Sequence, residues 1–313
     1  MLGSHENLVV PPESLLFKMF WSQQRHYGDL GKLLNQAELL KDMLSTRVIR
    51  YWSPRPRLED VVPLIRRPGF AGVIEALILS TAAGKTAGLW GEKSPGHIFY
   101  WQQIRQCFPE AKVVHIVRDG RDVAVSLLQA RMGPKTYDAA ARLWKSYLVE
   151  MDRVRSTCPA EDFCEIRYED LLAEPEGTLR QVCARLGVHY SPAMLQFFED
   201  KYEYRTDVTN AANLQKPLIA SNTQKWRSRM GLVQLREFEA VAGDCLLRYG
   251  YALQGDGRTL PKARQAFIRY LYSPALRFIA RAKDRQGQWE FLNLRAIRTR
   301  RFFKHFLNVR ASG

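Results

Sequence analysis

Residues 112–117 (KVVHIV) form an almost unbroken run of apolar, mostly β-branched side chains. Such a run is typical of a parallel strand that is covered on both faces. A helix is predicted over 98–108, and a second strand follows at 163–168. Helical patterns at 122–131 and 176–186 come after the two strands. This alternation predicts an α/β fold with a parallel sheet, whose ligands bind at the carboxyl ends of the strands.

Shorter elements surround this framework. Apolar residues at three- and four-residue spacing predict a helix over 13–21, and a buried helix is predicted over 70–83, ended by Gly84. The proline-rich segment 51–63 is expected to be a loop. The letters GLWGEKSP (88–95) predict a short strand that runs into a loop.

The segment VRDGRDVAVS (117–126) carries the clearest chemical signal. Arg118 follows a strand, Asp119 and Gly120 make a turn, and Ser126 lies in the first turns of the next helix. A guanidinium and a hydroxyl near a helix N-terminus form a suitable pocket for a phosphate dianion. The alternative is an Arg–Asp surface cluster that caps a helix, and the segment alone leaves both interpretations open.

Three further motifs accompany this one: PPESLLF near the N-terminus, GEKSP after one strand and RYEDLLAEPEGTLRQVCARLGV after another. Together with FPEAKVVHIVRDGRDVAVS, they resemble the sulfotransferases that use 3′-phosphoadenosine-5′-phosphosulfate (PAPS), most closely the bacterial ones, with tyrosylprotein and heparan sulfotransferases as relatives. The likeness runs over about 4–251 in the correct order. It implies a three-layer α/β fold related to the P-loop NTPases, with a parallel central sheet flanked by helices.

The resemblance implies a set of nucleotide-binding residues. Arg118 and Ser126 would bind the 3′-phosphate, and Tyr168 would lie against the adenine. The late segment KPLIASNTQKWRSRM resembles a loop that closes over the nucleotide, which makes Lys216, Trp226 and Arg227 candidates. Two alternatives are open: Tyr168 as a strand-end tyrosine with a hydrated hydroxyl, and Trp226 as a helix-start residue that only packs.

Sulfuryl transfer to a hydroxyl needs a base for the acceptor proton and positive charge at the leaving oxygen. By the resemblance, Glu13 in PPESLLF matches the base, and Lys93 in GEKSP matches the lysine that contacts the sulfonate. Glu92 is a second candidate base, or a partner of Lys93 in a local ion pair. Glu13 could instead be a first-turn helix glutamate favoured by the helix dipole. Glu13 is preferred over Glu92, and His97 is a weaker candidate that could reach the site.

One family motif is missing from these residues. The family begins with a strand and a loop of the type R-S-G-T-T that binds the 5′-phosphosulfate, and no such sequence is present. Residues 84–86 (GKT) resemble the end of a Walker motif, but Leu79 stands where that motif requires glycine. We therefore expect the reading frame to extend upstream into the strand and loop. The alternative is a remnant that cannot hold the phosphosulfate.

The net charge of +15 is concentrated near the C-terminus. Residues 255–313 hold fourteen Lys and Arg against three acidic residues, a net charge of +11. Helices are predicted over 264–282 and 288–309, and their mixture of aromatic and basic residues suits an anionic membrane surface. A helical hairpin packed on the domain is equally open. The predicted organisation is a sulfotransferase domain over 1–253 and a basic helical extension over 254–313.

The amino-acid composition bears on the cellular compartment and on the kinds of site and partner to expect. Five scattered cysteines without a CxxC pair suit a reducing compartment, so a cytoplasmic protein is expected, with a membrane-peripheral location as the alternative. Neither cysteines nor histidines have the spacing of a metal site, and no nucleic-acid partner is expected. The predicted function is PAPS-dependent sulfation of a hydroxyl on a glycan, glycolipid or small molecule. The alternatives are a non-catalytic relative and a membrane-surface module acting through its basic tail.

Overall fold

The computed structural model describes residues 1–82, 84–85, 88–130, 133–199, 216–255, 261–283, 296–297, 299 and 301. The chain forms two compact units. The first unit comprises Met1–Ala111, Ser191–Pro217 and Gln286–Gly313, and the second comprises Lys112–Tyr190 and Leu218–Arg285. Each unit has its own pair of parallel strands.

The first unit is mainly helical. Its regular elements are β1 (Leu8–Val9), α1 (Leu16–Phe20), α2 (Leu33–Ser45), α3 (Arg47–Arg50), α4 (Leu58–Val61), α5 (Gly69–Leu79), β2 (Leu89–Trp90) and α6 (Trp101–Cys107). Short 3-10 helices cover Leu2–Ser4, Trp21–Tyr27, Val62–Leu64, Pro95–Tyr100 and Pro192–Glu199. Strand β1 pairs in parallel with β2, Leu8 opposite Leu89 and Val9 opposite Trp90.

The core of this unit contains the apolar faces of α2 and α5. Leu39, Leu40 and Met43 of α2 and Val73 and Leu77 of α5 are completely buried. Full burial of side chains of this size stabilises a fold by about 1.5–3 kcal/mol each. Strands β1 and β2 and the loops that follow them are therefore attached to a well-packed helical core.

The second unit contains the two longer strands. Its elements are β3 (Val113–Val117), α7 (Gly120–Gln129), α8 (Tyr137–Thr157), β4 (Phe163–Arg167), α9 (Tyr168–Ala173), α10 (Pro175–Leu186), α11 (Trp226–Arg229), α12 (Leu232–Arg248), α13 (Lys262–Phe267) and α14 (Ser273–Lys283). A 3-10 turn covers Ala160–Asp162, and a π-helical turn at Ile268–Tyr272 joins α13 to α14.

The predicted parallel strands are confirmed. Strand β3 pairs with β4 along its whole length, from Val113 opposite Phe163 to Val117 opposite Arg167. The expectation that β3 is covered on both faces is wrong, because Ile116 is 48% exposed while its neighbours His115 and Val117 are buried. Successive side chains point to opposite faces of a strand, so only one face of β3 is closed.

A glycine brings α7 close to its neighbours. A Cβ atom on Gly120 would lie 2.5 Å from the ring of Trp144 in α8 and 2.8 Å from Phe238 in α12. The three helices share a buried cluster with Val117, the last residue of β3. This close packing fixes the turn between β3 and α7, which contains Arg118.

Several predicted boundaries are corrected. The helix expected at 13–21 begins only at Leu16, because Leu15 has a left-handed conformation with φ 56°. The helix expected over 70–83 ends at Leu79, and the segment expected as a loop at 51–63 contains α4. The helix over 98–108 is 3-10 helical up to Tyr100 and becomes α-helical at Trp101.

The basic C-terminal region is partly described. The helix predicted over 264–282 is present as α13, the π-turn and α14. Most of the helix predicted over 288–309 lies outside the described residues, but Arg301 contacts α2 of the first unit. Its guanidinium pairs with Asp42 at 2.6 Å and Glu38 at 2.8 Å. Within the described parts of the chain, no helix has the length and apolar character to cross a membrane.

Candidate functional site

In the first unit, the carboxylate of Glu92 is the centre of a buried hydrogen-bond network. Glu92 follows β2 and accepts hydrogen bonds from the Ser14 hydroxyl at 2.6 Å, the Ser14 backbone N–H at 3.2 Å and His97 Nδ1 at 2.7 Å. The Ser94 hydroxyl is a further donor. Both carboxylate oxygens are therefore engaged by donors of the same unit.

The histidine of this network is held in one tautomer. His97 is 6% exposed, and its Nε2 accepts the backbone N–H of Phe17 at 3.3 Å. Because Nε2 is an acceptor, the ring proton lies on Nδ1 and is donated to Glu92. His97 thus serves the network as a donor to Glu92, and it is more deeply involved than the sequence indicated.

The network also fixes the segment around Glu13. The Ser94 hydroxyl accepts the backbone N–H groups of Ser14 at 3.1 Å and Leu15 at 3.0 Å. Leu15 is one of the described non-glycine residues with positive φ, a conformation that is costly for a branched side chain. Such a backbone persists only where its surroundings enforce it, and here Ser94 and Glu92 do so.

The network determines the ionisation of Glu92. Burial alone would raise the pKa of Glu92, but the hydrogen bonds from His97, Ser14 and Ser94 outweigh it. The pKa therefore lies below the ordinary value for glutamate. Glu92 is a carboxylate with its acceptor positions filled.

Glu13 and Lys93 have different surroundings from Glu92. Glu13 is half-buried, and its backbone carbonyl accepts Trp52 Nε1–H at 3.2 Å. Among the described residues, nothing hydrogen-bonds to the Glu13 carboxylate, and the exposed Lys93 forms no ion pair. The ion pair considered for Glu92 and Lys93 is thus not formed, because Glu92 turns to His97. Glu13 is also not a first-turn residue of α1, which begins at Leu16.

In the second unit, Arg118 lies directly after β3 and stacks on Tyr168. Its guanidinium carbon lies 4.5 Å from the centre of the Tyr168 ring, and one amino group donates to the Asn222 carbonyl at 2.8 Å. The Asn222 side chain donates to the Tyr168 hydroxyl at 2.6 Å. The three residues form a closed triangle of contacts. The Tyr168 hydroxyl has a protein partner, contrary to the alternative of a strand-end tyrosine with a hydrated hydroxyl.

Asp122 is the buried acid beside this triangle. It accepts the backbone N–H of Trp226 at 2.9 Å through Oδ1, and its Oδ2 lies 3.7 Å from the Arg118 guanidinium. Burial raises the pKa of Asp122 despite the Trp226 N–H and the charge of Arg118. Within the described part of the chain, Arg118 Nε, Asp122 Oδ2 and Trp226 Nε1 are buried without hydrogen-bond partners.

Trp226 and Arg227 lie at the start of α11. Trp226 is buried against Val125 and Leu235, so it packs as the alternative proposed, yet no described residue accepts its indole N–H. Arg227 is exposed and donates to the Gln224 side chain at 3.0 Å.

Two other predicted residues have no partner among the described residues. Ser126 lies half-buried in α7, and its hydroxyl makes no hydrogen bond there. Lys216 is exposed and belongs to the first unit. Within the second unit, the structure therefore connects Tyr168 to Arg118, and both Arg118 and Trp226 to Asp122.

The Arg–Asp cluster considered as an alternative is not on the surface. Asp119 is the N-cap of α7 and accepts the Arg121 backbone N–H at 2.9 Å. Arg121 is 3% exposed and pairs with Asp119 at 2.8 Å and Glu239 at 3.0 Å. Its guanidinium lies 3.9 Å from the Trp226 ring. This buried cluster therefore stabilises the turn that contains Arg118.

Sequence reasoning missed Ser14, Asp122 and Asn222. Ser14 had a usable signal, since it adjoins the candidate base, and Asp122 occurs in the motif that identified Arg118. Asn222 had none, because it meets Arg118 from 104 positions away in the chain. The sequence motifs depend on neighbouring residues, whereas the contacts of the missed residues join segments that are distant in the chain.

Comparison with known proteins identifies the group to which the chain is similar. The sulfotransferase family pattern matches residues 1–192. Omega-hydroxy-beta-dihydromenaquinone-9 sulfotransferase Stf3 of Mycobacterium tuberculosis is 31% identical over 143 residues, covering 41% of this chain and 37% of that protein. Protein-tyrosine sulfotransferase 1 of Danio rerio is 26% identical over 184 residues, covering 54% of this chain and 50% of that protein. The chain thus spans half or less of these relatives.

Solved structures agree on the fold. The sulfotransferase domain of the curacin biosynthetic pathway superposes with a TM-score of 0.56 at 21% identity, covering 81% of this chain and 92% of that domain. The sulfotransferase domain of the Synechococcus PCC 7002 olefin synthase gives 0.54 at 20% identity, covering 81% and 89%. The predicted α/β sulfotransferase fold is confirmed. With a family match over most of its length, the chain belongs to the sulfotransferase family.

Proposed function

We propose that this chain transfers a sulfuryl group from PAPS to a hydroxyl of a glycan, a glycolipid or another small acceptor. The observation that carries the proposal is the set of buried polar atoms around Arg118 that have no hydrogen-bond partner among the described residues, in a chain of this family. Buried polar groups without partners are rare in folded proteins and destabilise them unless a ligand or water satisfies them. A nucleotide phosphate and base would supply such partners.

The residues around Arg118 are suited to a nucleotide. The Arg118 guanidinium is a fixed cation whose Nε–H has no partner in the described part of the chain, which favours a 3′-phosphate. The Ser126 hydroxyl, likewise without a partner there, would donate to the same group, and the Tyr168 ring would stack on adenine. We assign Trp226, Arg227 and Lys216 to the loop that covers the nucleotide, where the Trp226 indole N–H is available as a donor.

Glu13 is proposed as the catalytic base. A base must accept the acceptor proton, and the Glu13 carboxylate has no competing donor among the described residues. Glu92 has its oxygens filled by four donor groups and a lowered pKa, which disfavours proton uptake. Glu92 is instead assigned as a positioning residue that holds Ser14, and with it Glu13, in place.

Bound PAPS would supply the sulfuryl group. The acceptor oxygen loses its proton to Glu13 and bonds to sulfur as the bond from sulfur to the 5′-phosphate oxygen breaks, so adenosine 3′,5′-bisphosphate leaves. The exposed ammonium of Lys93, which forms no ion pair with any described residue, would stabilise the negative charge on that oxygen. No metal is assigned a role in this proposal.

The acceptor class rests on the relatives. Their names give a hydroxylated menaquinone derivative and protein tyrosine as acceptors, both hydroxyl compounds. Because the chain spans only part of those proteins, their substrates enter here only as starting points for a screen. We place the reaction in the cytoplasm, which agrees with five free cysteines. A non-catalytic relative that only binds nucleotide is the competing function.

The experiment is transfer of radiolabelled sulfate from PAPS by the full chain to a hydroxylated isoprenoid quinone, a tyrosine peptide and a glycoside. Glu13→Gln should lower turnover by about 10²–10⁴-fold with nearly constant nucleotide affinity. Lys93→Ala should lower turnover and weaken nucleotide binding somewhat. The matched control is Glu110→Gln, an exposed glutamate on a turn, which should change neither.

Two outcomes would contradict this proposal. Nucleotide binding without transfer to any acceptor would favour the non-catalytic relative. Loss of turnover in Glu92→Gln, with Glu13→Gln unaffected, would exchange the roles of the two glutamates.

A further inference from the structure

The helical segment Lys262–Lys283 presents an uncovered apolar surface. Tyr270, Leu271 and Phe278 are 65%, 63% and 75% exposed, and Phe267, Tyr272 and Ile279 are about half exposed. Scattered exposed apolar residues are normal, but six large ones within thirteen positions are not. We call these six side chains, four of them aromatic, the aromatic face.

The opposite side of the same segment is anchored. Ile268 and Ser273 are buried, and the Ser273 hydroxyl lies 2.7 Å from the Thr136 hydroxyl. Thr136 is the N-cap of α8 and accepts the Ala139 N–H at 3.2 Å. The segment is therefore fixed to the second unit by its buried side, with the aromatic face directed away from that contact.

The charge of the segment has one sign. Residues 261–283 contain six Lys and Arg and no acidic residue. Arg269 is exposed, and its guanidinium lies 5.1 Å from the centre of the Tyr270 ring. Arg269 and the exposed aromatic side chains thus occupy the same stretch of surface.

We infer that the aromatic face is a docking surface for an anionic lipid bilayer. Lipid phosphates complement the cations, and the boundary between headgroups and acyl chains accepts aromatic and aliphatic side chains together. A nucleic acid would satisfy the cations but would leave Leu271, Phe278 and Ile279 in water, so it explains only half of the surface. The segment lies on the membrane in this proposal and does not span it.

The inference goes beyond sulfate transfer and is independent of it, because binding to lipid requires no turnover. If the second unit docks in this way, acceptors embedded in the membrane become accessible to the protein. The substrate class of the proposed reaction is then lipid-linked hydroxyls. Failure of one proposal leaves the other standing, since the two are measured separately.

The experiment is flotation of the full chain with phosphatidylcholine vesicles that contain or lack phosphatidylglycerol. Binding should need the anionic lipid and weaken as salt is added. The double variant Leu271→Glu/Phe278→Glu should bind about tenfold more weakly or worse. Arg269→Gln should lose about fivefold, the effect of one interfacial cation.

The matched control is Leu232→Glu/Leu247→Glu, which changes two leucines of α12 that are 61% and 59% exposed. This control changes the net charge by the same amount as the first double variant. It should bind the vesicles nearly as well as the wild-type chain does. Circular dichroism of all variants establishes that each is folded.

Three results would overturn the inference. The first is equal flotation of the wild-type chain and Leu271→Glu/Phe278→Glu. The second is equal loss in the two double variants. The third is binding to a DNA duplex that is tighter than binding to vesicles and unaffected by the Leu271 and Phe278 substitutions.

Discussion

The Glu92 network of the first unit and the Arg118 group of the second differ in how their polar atoms are satisfied. Glu92 receives four donor groups, and His97, Ser14 and Ser94 use both their donors and acceptors within the network. Around Arg118, three buried polar atoms have no hydrogen-bond partner among the described residues. One region is complete as it stands, and the other is incomplete.

The difference separates positioning from binding. An unsatisfied buried donor or acceptor destabilises a fold by about 1–3 kcal/mol. A group that carries several of them is expected to gain partners when a ligand binds, whereas a satisfied network has nothing further to gain. Substitutions in the Arg118 group should therefore change ligand affinity. Substitutions in the Glu92 network should change the free energy of unfolding.

The largest effect should come from removing the cation of the incomplete region. Arg118→Ala should weaken binding of adenosine 3′,5′-bisphosphate by about 2–3 kcal/mol, because a charge-assisted contact is lost and the phosphate is left without its partner. Titration calorimetry on the full chain measures this. Arg180→Ala, which removes an exposed i,i+4 pair with Glu176, is the control and should bind as the wild-type chain does. Equal affinity of Arg118→Ala and wild type would contradict the difference in ligand binding that we infer between the Arg118 group and the Glu92 network.

Glu92→Gln tests the complete region. Glutamine places an NH2 group among the hydroxyl and ring donors, so we expect the free energy of unfolding to fall by about 2 kcal/mol. The folded state lowers the pKa of Glu92, so this contribution is full above the ordinary carboxyl pKa and is lost as pH falls through the folded value. Urea unfolding across that range should show the wild type and Glu92→Gln converging in acid. A constant difference would contradict the assigned ionisation.

The smallest effect concerns a partly buried pair in the second unit, His115 and Glu165, whose contribution to stability should also fall in acid. His115 Nδ1 lies 2.8 Å from Glu165 Oε2, and burial together with the nearby Arg155 charge lowers the pKa of His115 to about 4. The unfolded chain binds a proton on this histidine at higher pH, so stability should drop in mild acid. The drop should be roughly 1.5 kcal/mol between about pH 7 and pH 5.

Comparison of wild type with His115→Gln isolates this contribution, since the other titrating groups are shared. The variant should show a shallower decline of unfolding free energy over the same interval. Parallel declines would mean that His115 is protonated in the folded chain and that its burial does not control its charge.

Much of the framework was predictable because its signals are local. Strand β3 is a short, mostly apolar run, and α10 ends at Leu186 before Gly187, which adopts a left-handed conformation with φ 79°. Arg118 could be identified because a strand end and a helix start flank it. These features depend on neighbours within a few residues.

What could not be predicted depends on distant partners. Ser14 meets Ser94 from 80 positions away, so the engagement of Glu92 was not visible in GEKSP itself. The late start of α1 has the same origin, since Leu15 is held in its left-handed conformation with Ser94 as its partner. The exposure of Ile116 depends on which elements of the second unit pack against β3, and the sequence of the strand alone does not show this.

The contact between Arg301 and Asp42 has a consequence for the order of synthesis. The two residues are 259 positions apart, and Tyr27 donates to the same carboxylate at 2.8 Å. At ribosomal rates of about 5–20 residues per second, α2 emerges on the order of tens of seconds before its cationic partner exists. During that interval Asp42 lacks its Arg301 partner, so a nascent chain cannot complete this corner of the first unit until Arg301 has left the ribosome.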